Sequence, residues 1–230
     1  GYKYGLQNED LRMAFNGQAK HPHFYGILVR HPQPAEVVRR VLGNDMFCHD
    51  MAIRVPMPTG TKDKTRLGGN LHADWSDFTV APFIGGKHFT MGIQSVWAIT
   101  EFTAETGGPM VWPGSHLALE IPPEEPETLP AGGIVVEAPA GSVVMWDAAT
   151  WHATGLNKSV GARHSAVAFY QRGWVKGDIN NERVLPPEVR SRLGPDMRRL
   201  LGLDRRLPGY SSVRRLSSDQ IDALSPEEKK

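Results

Sequence analysis

An all-β core with helices at both ends, built as a sandwich or jelly roll, is what this sequence of 230 residues predicts. Three observations carry that expectation. About eight short stretches have the β-branched, aromatic or alternating character of strands. Glycine (24 residues) and proline (18) are spread along the chain rather than clustered, as befits many turns between short strands. Helical patterning is confined to the two ends, so the strand–helix–strand alternation of a parallel α/β sheet is missing.

Taken in order, residues 8–16 read as a short helix capped by Asn8. Residues 34–42 read as a stronger one, with Pro34 at its start, Val37, Val38, Val41 and Leu42 on one side, and Gly43 as its stop. His21 and His23 between them read as a solvated loop pair rather than a metal site. Residues 47–55 alternate as a strand that puts Met51, Ile53 and Val55 on one face. Residues 56–69 carry prolines, glycines and the charges of Lys62, Asp63, Lys64 and Arg66; they form either a plain surface loop or a lid that orders over substrate. Residues 89–102 are almost continuously apolar, as expected of a strand buried on both faces. A turn at 104–109, a short strand running into Trp112–His116, an exposed excursion over 121–133, and short strands at 134–137 and 142–146 follow. Residues 163–171 are the last strand. From Pro186 the composition shifts to arginine-rich helices divided at Gly194-Pro195, and a frayed charged tail is expected from Ser217.

Composition narrows the function. The length suits one sizeable core, so a single domain over 1–230 is expected. A net charge of +1 argues against a nucleic-acid partner, which needs concentrated positive charge. The lone cysteine, Cys48, excludes an intramolecular disulfide and fits a reducing, cytoplasmic setting. No apolar run is long enough to span a membrane, so no membrane partner is expected. No signal peptide is visible, and the chain opens on Gly1 rather than Met, so a tag remnant or an incomplete N-terminus is expected.

The chemistry centres on Asn70-Leu71-His72-Ala73-Asp74-Trp75, read together with Trp151-His152. On an extended segment, residues two apart share a face, so His72 and Asp74 project side by side. A second histidine from a neighbouring strand would complete two imidazoles and one carboxylate on one side of a metal. That facial arrangement suits Fe(II) that must bind a co-substrate and dioxygen together. With nine histidines in the chain, one His-x-Asp pair is also expected by chance.

Three pieces in order lift it above chance. They are His72-x-Asp74, then residues 97–109 (WAITEFTAETGGP) followed by Pro113-Gly114-Ser115-His116, then His152-Ala153-Thr154-Gly155-Leu156-Asn157 with Arg163 eleven residues after the histidine. On these residues, from about 45 to 175, the chain resembles the phytanoyl-CoA dioxygenase family of Fe(II)- and 2-oxoglutarate-dependent oxygenases. The resemblance implies a double-stranded β-helix (jelly-roll, cupin-like) barrel with iron held by His72, Asp74 and His152. It implies that Arg163, helped by the hydroxyl of Thr154, pairs with the distal carboxylate of 2-oxoglutarate. A guanidinium's planar fork matches a carboxylate with two parallel hydrogen bonds and stays charged when buried. The other reading of Arg163 is a surface ion pair at a strand end.

Asn70 shares the face of His72, so its amide is a further candidate to reach the co-substrate. Trp75, Phe78 and Trp97 are candidate pocket walls, with ordinary core packing as the alternative. His116 belongs to a turn; His49, His88 and His164 carry no partner pattern. The implied activity is O2-dependent oxidation, most simply hydroxylation, of a small molecule of secondary metabolism, with release of succinate and CO2. Aspartate at position 74, where related halogenases carry a small residue, implies no halogenation. Two competing readings stay open: a cupin-like metal enzyme that does not use 2-oxoglutarate, which leaves Arg163 and Thr154 idle, and a non-catalytic binding protein on the same fold.

Overall fold

The computed structural model describes residues 11–21, 26, 29–60, 67–74, 83–84, 87–118, 120–123, 128–175, 177 and 179–203. Trp75, Phe78, His23, residues 61–66 of the loop before His72, and the tail from Ser217 lie outside the described residues.

In chain order the elements are β1 (Leu11–Ala14), α1 (Gly17–Lys20), α2 (Pro32–Leu42), β2 (Phe47–Pro56), β3 (Phe83–Ile84), β4 (Lys87–His88), β5 (Gly92–Ala98) and β6 (Met110–Val111). A single 3₁₀ turn (Ser115–Leu117) leads to β7 (Ile134–Val135), β8 (Val143–Asp147), β9 (His152–Ala153) and β10 (Ser165–Gln171). Three short helices close the described chain: α3 (Asn181–Val184), α4 (Pro187–Arg190) and α5 (Pro195–Leu200). A five-stranded sheet runs in the order β1-β2-β10-β5-β8, and a three-stranded sheet in the order β7-β6-β9; β3 and β4 form a hairpin. Every pairing is antiparallel.

Strands β2 and β10 fall where expected, β5 covers only 92–98 of the expected 89–102, and β5 and β10, each paired on both sides, are the most thoroughly buried. The expectation for the N-terminal segment is overturned. Residues 11–14 are not helical: they pair with β2 in the register Leu11↔Pro56 to Ala14↔Ile53, and Leu11 is fully buried. Leu, Arg, Met and Ala all favour a helix in isolation, but a free edge on β2 offers main-chain partners and a site for the leucine, and the tertiary gain outweighs that preference.

The pleat sorts the main sheet into two faces. Met51, Ile93, Ala168 and Tyr170 face a core shared with Val38 and Leu42 of α2 and with Met197, Leu200 and Leu201 around α5. Burying side chains of this size contributes about 1.5–3 kcal/mol each. The opposite face presents Val96, Ala98 and Val167 with Phe102, joined by Val144 and Trp146 of β8. This face lines the barrel interior. The smaller sheet packs a separate cluster, Ala153, Leu71 and Trp112, on the face opposite His152.

Register decides Trp97. It is paired with Ala166, which is paired with Ile53, on the helix-covered face, and its ring meets His31 edge-on at 5.7 Å. The expectation that Trp97 walls the pocket is corrected. The neighbours Val96 and Ala98 point inward, and with a period of two Trp97 must point outward.

Candidate functional site

The site is built around one cross-strand pair. His72 donates its main-chain N–H to the carbonyl of His152 at 3.0 Å and accepts from the N–H of His152 at 2.8 Å. Residues in such a closed antiparallel pair project side chains to the same side, and the two imidazole centroids are 4.2 Å apart. Asp74, two residues after His72, brings its Oδ1 to 3.7 Å from His72 Nε2 and its Oδ2 to 3.6 Å from His152 Nε2. One donor atom from each residue lies within 4.8 Å of the other two.

The sequence also sets which ring nitrogen faces inward. His72 Nδ1 donates to the carbonyl of Asn70 at 2.9 Å, and His152 Nδ1 donates to the carbonyl of Thr150 at 2.9 Å. Each histidine is thus steered by the carbonyl two residues before it, leaving Nε2 with a lone pair for the centre. Burial, above all, pushes His152 down to about 4, against the opposing pull of Asp74, so its imidazole is neutral near pH 7. A neutral imidazole is the form that ligates a metal.

A cation fits this cluster. His152 Nε2 and Asp74 Oδ2 are buried with no hydrogen-bond partner among the described residues, and their 3.6 Å separation is too long for a hydrogen bond. Donors about 2.1 Å from a shared ion stand roughly 3.0–3.6 Å apart, close to what is seen.

Neighbouring segments hold the His–Asp–His cluster in place. Trp146 packs on His152, ring centroids 5.0 Å apart. Asp147 shapes the turn before His152 by accepting from Ala149 N at 2.9 Å through Oδ1, while Oδ2 pairs with His88 at 2.8 Å. Ser115 of the Pro-Gly-Ser-His turn accepts from Trp151 N at 2.8 Å and donates to the carbonyl of Trp112 at 2.6 Å. Past the histidine, a Cβ on Gly155 would stand 2.2 Å from the carbonyl oxygen of Gly108, so only glycine lets the 107–108 turn lie against this segment. The two described ends of the loop before His72 dock here as well: Thr59 N donates to Asn157 O at 3.0 Å and Gly68 N to Thr154 O at 2.9 Å.

Arg163 is 3% exposed, with its guanidinium 4.7 Å from the Phe102 ring centroid. Its Nε and Nη1 are buried without partners among the described residues. Burial, with a smaller contribution from the charge of Arg54, pushes it down to about 10. The surface ion-pair reading of Arg163 is excluded by this burial. Thr154 is buried two residues beyond His152.

Asn70 differs from expectation. The residue is exposed and meets the site through its carbonyl on His72 rather than through its side-chain amide. Arg54 was not singled out in the sequence. It pairs with Ser165 on β10, two residues from Arg163 and on the interior face, and its charge is felt by both Arg163 and His152. A lone arginine in the otherwise apolar stretch 51–56 of β2 is the signal it left.

Comparison with known proteins now decides the family. The family model described as phytanoyl-CoA dioxygenase matches residues 6–165. The chain belongs to the phytanoyl-CoA dioxygenase family. Among similar proteins, dioxygenase af480 of Aspergillus fumigatus is 24% identical over 176 residues, covering 75% of this chain and 52% of that protein. The uncharacterized protein Rv1501 of Mycobacterium tuberculosis is 29% identical over 171 residues, covering 73% and 58%. The chain thus spans little more than half the length of these relatives.

Two solved structures show the fold. HygX from Streptomyces hygroscopicus, with nickel and 2-oxoglutarate bound, superposes with a TM-score of 0.56 at 14% identity, over 73% of this chain and 72% of that one. The epimerase SnoN, in complex with Fe3+, alpha-ketoglutarate and nogalamycin RO, gives a TM-score of 0.53 at 21% identity, over 71% and 64%. The barrel is the jelly roll expected of the phytanoyl-CoA dioxygenase family.

Proposed function

We propose that this chain is an Fe(II)- and 2-oxoglutarate-dependent dioxygenase that oxidises, by hydroxylation, a small-molecule substrate of secondary metabolism. His72, Asp74 and His152 would hold the iron, and Arg163 with Thr154 the distal carboxylate of 2-oxoglutarate. The observation that carries the reading is a pair of unmet needs: a His–Asp–His cluster with orphaned donor atoms, and a buried guanidinium with no acid to meet it among the described residues. A cation left unpaired in a dry interior is costly, and an anionic co-substrate offsets that cost.

When bound, the iron supplies dioxygen activation coupled to breakdown of 2-oxoglutarate to succinate and CO2. The chain's own residues do the rest. The carbonyls of Asn70 and Thr150 fix the histidine tautomers, Arg163 orients the co-substrate, and Val96, Val167 and Trp146 give the interior the apolar lining that keeps water out. The carboxylate of Asp74 would, as an iron ligand, take the position that halogenation needs open. The single cysteine, buried Cys48, supports a cytoplasmic setting.

A cupin-like metal enzyme without 2-oxoglutarate leaves Arg163 buried for no purpose, and a non-catalytic protein leaves both halves idle. The test is an anaerobic titration of 2-oxoglutarate into the Fe(II)-loaded protein, followed by admission of oxygen. A visible charge-transfer absorption and O2-dependent succinate release are expected. Iron binding without either outcome favours the cupin-like reading, and no iron binding favours the accessory one.

A further inference from the structure

The inward face of β2 and β10 carries a second guanidinium beside Arg163. Arg54 lies on β2 opposite Ser165 of β10, and Arg163 donates its main-chain N–H to Pro56 O at 3.1 Å, so the two arginines neighbour each other on the inward face. Both guanidiniums have buried nitrogens without partners: Nε of Arg54, and Nε and Nη1 of Arg163. No carboxylate pairs with Arg54 among the described residues. Two residues along the inward face from the Pro56 position that meets Arg163, Arg54 is the next side chain to the candidate co-substrate anchor.

On the reading that Fe(II) and 2-oxoglutarate occupy this site, the charges can be counted. A ferrous ion with one carboxylate ligand carries one net positive charge, and the two guanidiniums carry two more. 2-Oxoglutarate brings two negative charges, one to the metal and one to Arg163. Among these groups alone one positive charge is left, and it sits on Arg54. Like charges at close range destabilise each other, so two adjacent arginines in a half-dry barrel need a second anion to be comfortable.

We propose that Arg54 is the recognition point for an anionic group, a carboxylate or a phosphate, on the substrate. This rests on the dioxygenase reading and narrows it: the substrate is a small acid. Arginine suits the task because its planar fork binds either oxyanion through two parallel hydrogen bonds. A lysine would supply the charge without the geometry.

The experiment uses the protein loaded with Fe(II) and saturating 2-oxoglutarate under anaerobic conditions. Benzoate, phenyl phosphate and neutral benzamide serve as probes, followed by calorimetry while the charge-transfer absorption reports that 2-oxoglutarate stays bound. One of the two anions should bind at least roughly tenfold tighter than benzamide, and which one does so distinguishes carboxylate from phosphate. In Arg54→Met that preference should vanish while the dissociation constant for 2-oxoglutarate stays within about threefold, and Arg54→Lys should keep part of it. Three results overturn the proposal: no anion preference in the unmodified protein, an undiminished preference in Arg54→Met, or a loss of 2-oxoglutarate affinity in Arg54→Met as large as in Arg163→Ala. The last would assign Arg54 to the co-substrate. Failure of the unmodified protein to bind 2-oxoglutarate at all would remove the dioxygenase reading and this inference with it, whereas failure of the anion preference removes this inference alone.

Discussion

His72 and His152, eighty residues apart in the chain, exchange both of their main-chain hydrogen bonds, at 3.0 and 2.8 Å, and carry their imidazoles side by side. Each then donates its Nδ1–H to the carbonyl two residues earlier, at 2.9 Å. The two candidate ligands are therefore posed by the backbone without any ion. Preorganisation of this kind lowers the ordering cost of metal binding.

Replacing His72, Asp74 or His152 by alanine should abolish turnover with the fold intact. Loss of a supporting partner alone typically costs 10–100-fold in metal affinity, so loss of a ligand should weaken iron binding by more than about 100-fold. Metal analysis after dialysis, with circular dichroism as the folding control, checks each variant. Near-normal iron content in any one of them would remove that residue from the ligand set.

Arg163→Ala should weaken 2-oxoglutarate binding and spare iron binding. Removing the partner of a buried anion costs about 2–5 kcal/mol, or roughly thirty- to several-thousand-fold in affinity. Arg163→Lys should lose less, since it keeps the charge and forfeits only the fork. The anaerobic Fe(II) titration measures both, and a constant within about threefold of the unmodified protein would mean the carboxylate is held elsewhere.

Gly155→Ala should damage the site from a position that touches neither metal nor co-substrate. The new Cβ would stand 2.2 Å from Gly108 O and 3.0 Å from Gly107 C, against backbone that has no flexible end to yield. Overpacking of this kind costs about 1–3 kcal/mol. Because Gly155 follows Thr154 directly, lowered thermal stability should come with weaker 2-oxoglutarate binding. An unchanged melting temperature would show that the turn can move aside.

Trp97→Ala is the contrasting case. Its side chain lies on the helix-covered face against His31, half-buried, so its loss should cost about 2–4 kcal/mol of stability, below the range for a fully buried tryptophan. The affinity for 2-oxoglutarate should stay within about threefold. A selective loss of co-substrate binding without a stability change would return Trp97 to the pocket.

The sequence by itself determined the all-β core, the long strands and the spacing His72-x-Asp74, His152 and Arg163. Those features are written in local periodicity and in the side-chain types that a metal and a carboxylate demand. What only the tertiary structure decided were facts of pairing. Residues 11–14 look helical until the open edge of β2 offers them partners. Trp97 looks like a pocket wall until register turns it outward, because a shift of one residue exchanges the two faces of a strand. Arg54 looks like a routine charge until its pairing with Ser165 sets it inside the barrel beside Arg163. Spacing along a chain fixes which residues share a face, but not which face is buried or what stands across from it; those depend on contacts made by residues far apart in sequence.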